Sequence, residues 1–244
     1  MHSPARSPAL SHTDEAHPDG ICSDEALIRH FEQFIADDAF PCVGAKSALN
    51  RGQIVYQIES DLRCGPAAAT VAALQCFSHG YDQDSTLFRS VVVLFRSVVV
   101  LFRQRGVLTE QAFETLLWHY LQAMHDADAV HHEWDPRVSK DPQAADFSFS
   151  VGGRGYYVVG LHPGASRTAR RFLRPALVFN LHDQFERLRS DGKYRTIRDT
   201  IIERDTRLEG TRNPMLKPFG SSSEARQYSG RAVGDAWTCP FHAR

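Results

Sequence analysis

The sequence lacks paired cysteines, long apolar runs and an excess of charge of either sign. Its five cysteines are scattered and include no CxxC pair, so we expect a reducing cytoplasmic location rather than a disulfide framework. No stretch reaches the ~20 apolar residues that a membrane span requires. The 28 basic and 29 acidic residues leave a net charge of −1, which argues against nucleic acid and anionic membranes as partners.

Common catalytic signatures are absent as well. The chain contains no GxGxxG, Walker, HExxH or GxSxG motif, and so carries no generic signature of a nucleotide-binding protein, a zinc protease or a serine hydrolase. Residues 1–20 are rich in Pro, Ser and His and lack an apolar core of signal-peptide length, which predicts a disordered tail. The remainder, 21–244, has the length and composition of a single globular domain.

Apolar residues at helical spacing predict several amphipathic helices. In the first, Ser23 is a suitable N-cap, and Leu27, Phe31 and Ile35 fall on one face. A run of 28 residues near the C-terminus is helical in pattern but is expected to break at Gly192. The predicted helices cover 23–38, a short Pro-led segment within 40–52, 65–80, 109–128 and 183–210.

Alternating and continuous apolar runs predict strands between these helices. The runs 146–151 and 156–162 flank the turn sequence GGRG and predict a β-hairpin, while 53–58 and 175–182 are further strands. Because helices and hairpin strands mix without regular βαβ alternation, we predict an α+β fold. The expected architecture is a single domain with a mostly antiparallel sheet packed by several helices.

The segment LFRSVVVLFRSVVVLFR, 87–103, contains the same heptad twice and begins it a third time. Its Val and Phe content favours a strand. One unbroken strand of this length would run ~50 Å, about the full width of such a domain. An insertion of seven, being odd, would also turn one flank of a strand to the opposite face. We therefore predict that one copy is an extra heptad that bulges out or shifts a strand end.

Two groups of polar residues are candidates for chemistry. His162 follows a predicted strand, immediately before a Pro-Gly turn, and a cluster of arginines comes just after it. Such an imidazole is a good metal ligand, and guanidinium groups pair with carboxylates or phosphates. A turn histidine beside a solvated basic patch explains the same residues. The second group stands at a strand-to-helix junction, where Asp183 is equally explained as a helix-start residue. The first group comprises His162, Arg167, Arg170 and Arg171. The second comprises His182, Asp183 and Glu186.

Five stretches in this order, FPCVGAKSALNRGQ, HPGASRTARRF, LVFNLHDQFERLR, NPML and SEARQYSGR with a later CPF, resemble the YqcI/YcgG family. Within it the chain is most similar to the haem-dependent guanidine N-hydroxylases of the guanitoxin biosynthesis type. The resemblance runs from about Phe31 to Phe241. It implies a non-covalent haem b, O2 as co-substrate, an external electron donor or reductase, and N-hydroxylation of a guanidino or related amino-acid-like substrate. It also implies that relatives have a single strand-like segment where the heptad is duplicated here.

Carried over to this sequence, the resemblance assigns roles around the haem. It makes His162 the axial iron ligand, with His182 as the second choice and a thiolate from Cys42 or Cys239 as the third. On residue type alone, both cysteines are equally explained as inert core residues. The arginines of the SRTARR stretch would lie near the haem propionates; they are Arg167, Arg170 and Arg171.

The resemblance also suggests how the substrate is held. A guanidinium is cationic at any working pH, so the pocket should supply a carboxylate. Glu224 is the first candidate, with Glu186 and Asp183 behind it. Arg226 would then bind the substrate carboxylate and Tyr228 would donate a hydrogen bond.

Three alternatives remain open at the level of the sequence. The SEARQYSG stretch is equally explained as a segment that only orders a C-terminal loop. The protein could be a haem-binding or carrier protein without catalysis, which would take up haem but couple no oxygen consumption to a substrate. It could also be a binding protein without haem, which would remain colourless after expression with a haem precursor.

Overall fold

A computed structural model describes residues 23–84, 95–218 and 220–244 of the chain. The predicted disordered tail, 1–20, lies outside the described residues. The described part is an α+β domain in which six helices surround a five-stranded sheet, as predicted. No helix among these residues combines the length and the apolar composition needed to cross a membrane.

The first two helices begin where local capping groups predict them. Helix α1, Asp24–Ala36, is capped by Ser23, whose hydroxyl accepts a hydrogen bond from the Ala26 amide at 3.2 Å. Helix α2, Val43–Asn50, is capped by the thiol of Cys42, which accepts from the Ala45 amide at 3.4 Å. The Pro-led start of α2 therefore places a cysteine side chain at its positive end.

The other four helices also agree with the apolar pattern, with small differences at their ends. The third helix begins two or three residues later than predicted and runs past Gly80. Between the last two helices Gly192 has φ +70°, a left-handed conformation that suits glycine, so the predicted break is confirmed. These helices are α3 Ala68–Asp84, α4 Glu110–Asp128, α5 His182–Ser190 and α6 Tyr194–Glu209.

The sheet has the order β1-β2-β5-β4-β3, and only the β1–β2 pair is parallel. The prediction of a mostly antiparallel sheet is therefore confirmed. The β3–β4 hairpin closes through Gly152 and Gly153, whose φ values of +60° and +70° fit a two-residue turn of the type that glycine favours. The strands are β1 Ile54–Glu59, β2 Ser97–Phe102, β3 Phe149–Val151, β4 Arg154–Leu161 and β5 Ala176–Leu181.

The sheet buries both faces against helices. One face packs on α3 and α4 in the larger apolar core, to which β2 contributes Val98 and Val100. The other face packs against α1 and α2, to which β2 contributes Val99 and Leu101. Because strand side chains alternate between the faces, a residue's parity along its strand decides which of the two layers it enters.

The duplicated heptad forms one short strand where the structure describes it. Strand β2 takes its Ser-Val-Val-Val from the second copy and its Leu-Phe from the third, and all six residues are buried. The first copy, 87–93, lies outside the described residues, so the predicted bulge or shifted strand end stays a prediction.

Deletion of Leu94 to Val100 is expected to leave the free energy of unfolding equal or higher, within about 1 kcal/mol. The two copies are identical in sequence, so the shortened chain can rebuild β2 from the first copy. The connection between α3 and β2 would shorten to about five residues, an ordinary loop length. Urea unfolding monitored by circular dichroism measures the difference.

The matched control for this deletion is removal of Val99 alone. A one-residue deletion reverses the faces of half the strand and should cost several kcal/mol, roughly what large core defects cost. A comparable loss on removing the whole heptad would mean that both copies are built into the core.

Candidate functional site

A cavity of about 300 Å³ lies between the sheet and the layer formed by α1, α2, α5 and α6. Its volume is at the lower end of the range for small-molecule sites. The sheet contributes side chains of one parity, including Val99, Tyr157, Val159 and Asn180, and these give the cavity a mostly apolar floor. Seven charged residues of the described chain also contribute to the lining: Arg167, Arg170, Arg189, Arg198, Asp205, Lys217 and Glu224.

Glu224 presents a carboxylate to this cavity. It begins a single 3-10 turn, Glu224–Gln227. The Ser223 hydroxyl caps this turn by accepting a hydrogen bond from the Ala225 amide at 3.2 Å. Burial raises the pKa of the Glu224 carboxyl to about 7, with the Arg189 guanidinium opposing and the Glu186 carboxylate adding to the rise. The carboxylate makes no hydrogen bond or ion pair with any described residue, so it is available to a ligand.

Arg170 lines the same cavity and is held by backbone carbonyls. Its guanidinium donates to the carbonyls of Gly160 at 2.9 Å, Gln227 at 3.1 Å and Tyr228 at 3.3 Å. Burial lowers the pKa of this guanidinium, opposed by the Tyr157 hydroxyl and by the Asp205 carboxylate. Arg170 therefore carries a positive charge that no described carboxylate neutralises directly.

The other cavity arginines have acidic partners. Arg167 forms a close ion pair with Asp205 of α6, and both side chains are about nine-tenths buried. Its Nε is buried without a hydrogen-bond partner among the described residues. Arg189 pairs with Glu186, and Arg198 lies 3.9 Å from Asp199. Arg167 thus retains one unused donor, although its charge is compensated.

Cys42 also contributes to the cavity lining. Burial raises the pKa of its thiol, whereas the amides of Ala45 and Gly44 and the nearby Arg170 guanidinium favour the thiolate. Arg204 of α6 donates to the Phe40 carbonyl at 3.0 Å and so ties down the loop that precedes the cysteine. The structure thereby brings three of the predicted residue types, a cysteine, a glutamate and an arginine, around one cavity.

His162 lies on the opposite side of the sheet. It is 1% exposed, and its ring stacks on Phe113 of α4 with centroids 4.3 Å apart. Burial lowers the pKa of the imidazole to about 4, opposed by the Glu110 carboxylate. Neither ring nitrogen has a hydrogen-bond partner of good geometry among the described residues. The nearby Leu108 backbone opposes the lowering of the imidazole pKa. The preceding residue, Leu161, points to the other face of the sheet and lines the cavity.

Three further predicted residues are engaged in structural contacts away from the cavity lining. Arg171 donates to the carbonyls of the turn after His162. Arg226 donates to the Gly234 carbonyl at 2.6 Å and lies over the Trp237 ring. The Tyr228 hydroxyl donates to the Tyr156 carbonyl at 3.0 Å within the larger core. The Arg171 contacts are to Ala165 at 2.9 Å and Ser166 at 2.8 Å.

The residues at the β5–α5 junction form a network of their own, outside the cavity lining. His182 is 3.0 Å from the Glu186 carboxylate, and burial lowers the pKa of its imidazole. Asp183 pairs with Arg137 at 2.6 Å and with Arg154 at 3.2 Å. Glu186 is half exposed. The last predicted candidate, Cys239, is buried in the larger core, and burial raises the pKa of its thiol to about 12.

Sequence reasoning missed several polar residues of the cavity, of which Asn180 and Asp205 are the most informative. Asn180 interrupts the apolar strand β5, where it accepts a hydrogen bond from Ser97 at 2.7 Å. A polar residue within a buried strand is a signal that could have identified this position. Asp205 occupies a strongly charged stretch of α6, and nothing in the local sequence distinguishes it from the exposed acids around it.

Comparison with known proteins identifies a family but no individual relative. A sequence model described as the YqcI/YcgG family matches residues 31–242. Neither the curated proteins nor the solved structures contain a significant match. The matched region includes all six helices except the first turns of α1, all five strands and every charged residue of the cavity.

Proposed function

Because the chain belongs to the YqcI/YcgG family, we propose that it is a haem-dependent oxygenase that N-hydroxylates a guanidino or related amino-acid-like substrate. The observation that supports this function is the Glu224 carboxylate, which has no partner among the described residues and faces a largely apolar cavity. A buried carboxylate without a partner is costly to ionise, and a guanidinium is a cation whose planar donors match it. Glu224 would therefore orient the nitrogen that is oxidised.

The cavity offers donor groups of the kinds that hold a haem, but its volume of about 300 Å³ is too small for a haem together with a substrate, so haem binding would require the cavity to widen. Cys42 is the described cavity residue able to supply a soft axial donor; burial raises the pKa of its thiol, but a bound metal cation would deprotonate it. The unused Nε of Arg167 suits a propionate carboxylate. Cys42 is therefore our proposed ligand, while His162 stays the prediction that the resemblance makes. The two assignments give different spectra of the ferrous–CO complex.

In the proposed reaction one oxygen atom of O2 enters an N–H bond to give N–OH, and the other leaves as water. Two electrons from an external reductase and two protons balance the equation. Haem, when bound, supplies the iron at which O2 is reduced. The protein would contribute the Glu224 carboxylate, which holds the guanidinium, and the apolar strand side chains, which exclude water from the reacting nitrogen.

The test is expression with a haem precursor, followed by assay of the purified chain with a reductase and guanidino substrates. We expect a red protein that consumes O2 in step with formation of a product heavier by one oxygen atom, measured by mass spectrometry. Haem uptake without substrate-coupled O2 consumption would indicate a carrier instead. A colourless protein would overturn any haem-dependent function.

A further inference from the structure

Among the described charged residues of the cavity that are not exposed, one of each sign has no directly paired partner; Lys217, the remaining charged residue of the lining, is exposed. Among its described arginines, Arg167, Arg189 and Arg198 have a carboxylate within 4 Å, whereas Arg170 is held by three backbone carbonyls and the Tyr157 hydroxyl. Of its two acids, Asp205 is paired with Arg167, whereas Glu224 is not paired with any described residue. Opposite charges in an apolar cavity attract strongly, so two that remain apart require a structural cause.

The backbone holds Arg170 and Glu224 apart. Three carbonyls anchor the Arg170 guanidinium, and one of them belongs to Gln227 at the end of the turn that Glu224 begins. Ser223 holds the start of that 3-10 turn in place, because its hydroxyl donates to the Pro142 carbonyl at 2.6 Å. The turn therefore anchors both groups to one segment of backbone, and the two charges do not form an ion pair with each other.

We propose that Arg170 and Glu224 form a two-point site for a zwitterionic ligand, with the ligand's carboxylate at Arg170 and its cationic end at Glu224. A zwitterion neutralises both charges, whereas a simple cation or anion would leave one of them buried and unpaired. The guanidino nature of the cation rests on the proposed function, but the pairing of charges does not. The cavity volume of about 300 Å³ suits a ligand of amino-acid size.

This assignment differs from the one that the resemblance makes, in which Arg226 binds the substrate carboxylate. The Arg226 guanidinium lies against Trp237 and Gly234, outside the cavity lining. A haem propionate is a second source of a carboxylate at Arg170. The experiment below distinguishes a substrate carboxylate from a propionate.

The experiment is isothermal titration of the full-length chain, with and without added hemin, using three probes of matched size. L-Arginine carries both charges, agmatine lacks the carboxylate, and L-citrulline replaces the guanidinium by a neutral urea. We expect L-arginine to bind about 10–100-fold more tightly than either of the others, the range that one charge-assisted hydrogen-bonded contact supplies. Equal binding of agmatine and L-arginine by the wild-type chain would overturn the proposal, as would failure of all three to bind.

The variants assign each charge to its residue. Arg170→Gln should remove the preference for L-arginine over agmatine, and Glu224→Gln should remove the preference over L-citrulline. Arg207→Gln and Glu203→Gln, which remove an exposed ion pair on the outer face of α6, should keep both preferences. Arg170→Lys, which keeps the charge, should keep part of the agmatine discrimination even if Arg170→Gln folds poorly.

Two outcomes would assign the carboxylate elsewhere. Loss of the agmatine discrimination in Arg226→Gln but not in Arg170→Gln would move the contact to Arg226. Weaker hemin binding by Arg170→Gln, with unchanged discrimination between the probes, would mean that Arg170 contacts a propionate. Either result overturns the two-point site. Because the probes are also titrated without hemin, failure of the haem-dependent function would leave this result readable on its own.

Discussion

Glu224→Gln is expected to lower the turnover of a guanidino substrate by at least about 10–100-fold while the protein keeps its haem. Glutamine preserves the size of the side chain but removes the charge that would neutralise the substrate cation. Haem content should not change, because Glu224 is not among the residues proposed to hold the haem. Product formation and the absorbance spectrum are measured on the same preparation.

The same carboxylate predicts a pH dependence. The pKa of Glu224 is raised to about 7 in the unliganded protein, and only the ionised form pairs with a cation. The apparent affinity for a guanidino substrate should therefore fall about tenfold for each pH unit below 7 and level off above about pH 8. In Glu224→Gln this dependence should disappear.

The controls separate Glu224 from the neighbouring acids. Glu203→Gln removes an exposed carboxylate of α6 and should leave both turnover and the pH profile unchanged. Glu186→Gln tests the second candidate of the sequence prediction. If Glu186→Gln abolishes turnover while Glu224→Gln does not, Glu224 has no role in holding the substrate.

Cys42→Ser is expected to abolish a thiolate-type haem spectrum and to lower haem retention by at least about tenfold. A thiolate ligand gives a strongly red-shifted ferrous–CO Soret band, whereas a histidine ligand gives a band near that of the globins. Serine is a good N-cap, so α2 should still form and the variant should fold. We therefore expect a strongly red-shifted ferrous–CO Soret band for the wild type and no such band for the variant.

His162→Ala is the decisive comparison for the iron ligand. If Cys42 is the ligand, this variant should keep its full haem content and an unchanged spectrum, although losing the stack on Phe113 will cost stability. Cys239→Ser, at the thiol buried in the larger core, should also keep the spectrum. A globin-like band that is lost in His162→Ala would instead support the histidine assignment and remove Cys42 from the site.

The sequence predicted the elements of the fold because their signals are local. Capping by Ser23, the break at Gly192 and the Gly-Gly turn of the hairpin depend on residues within a few positions of one another. The predominance of antiparallel pairing followed from the hairpin. The parallel β1–β2 pair did not, because it depends on how the chain returns through α3.

The sequence by itself also determined the residue types of the candidate site, since Cys42, Arg170 and Glu224 all stand in the stretches that resemble the family. Only the tertiary structure decided which candidates meet. Leu161 and His162 are adjacent in sequence, yet the pleat of β4 directs one toward the cavity and the other toward α4. Local sequence specifies a strand, but the face that each side chain enters depends on the layers packed against the sheet, and those contacts come from distant parts of the chain.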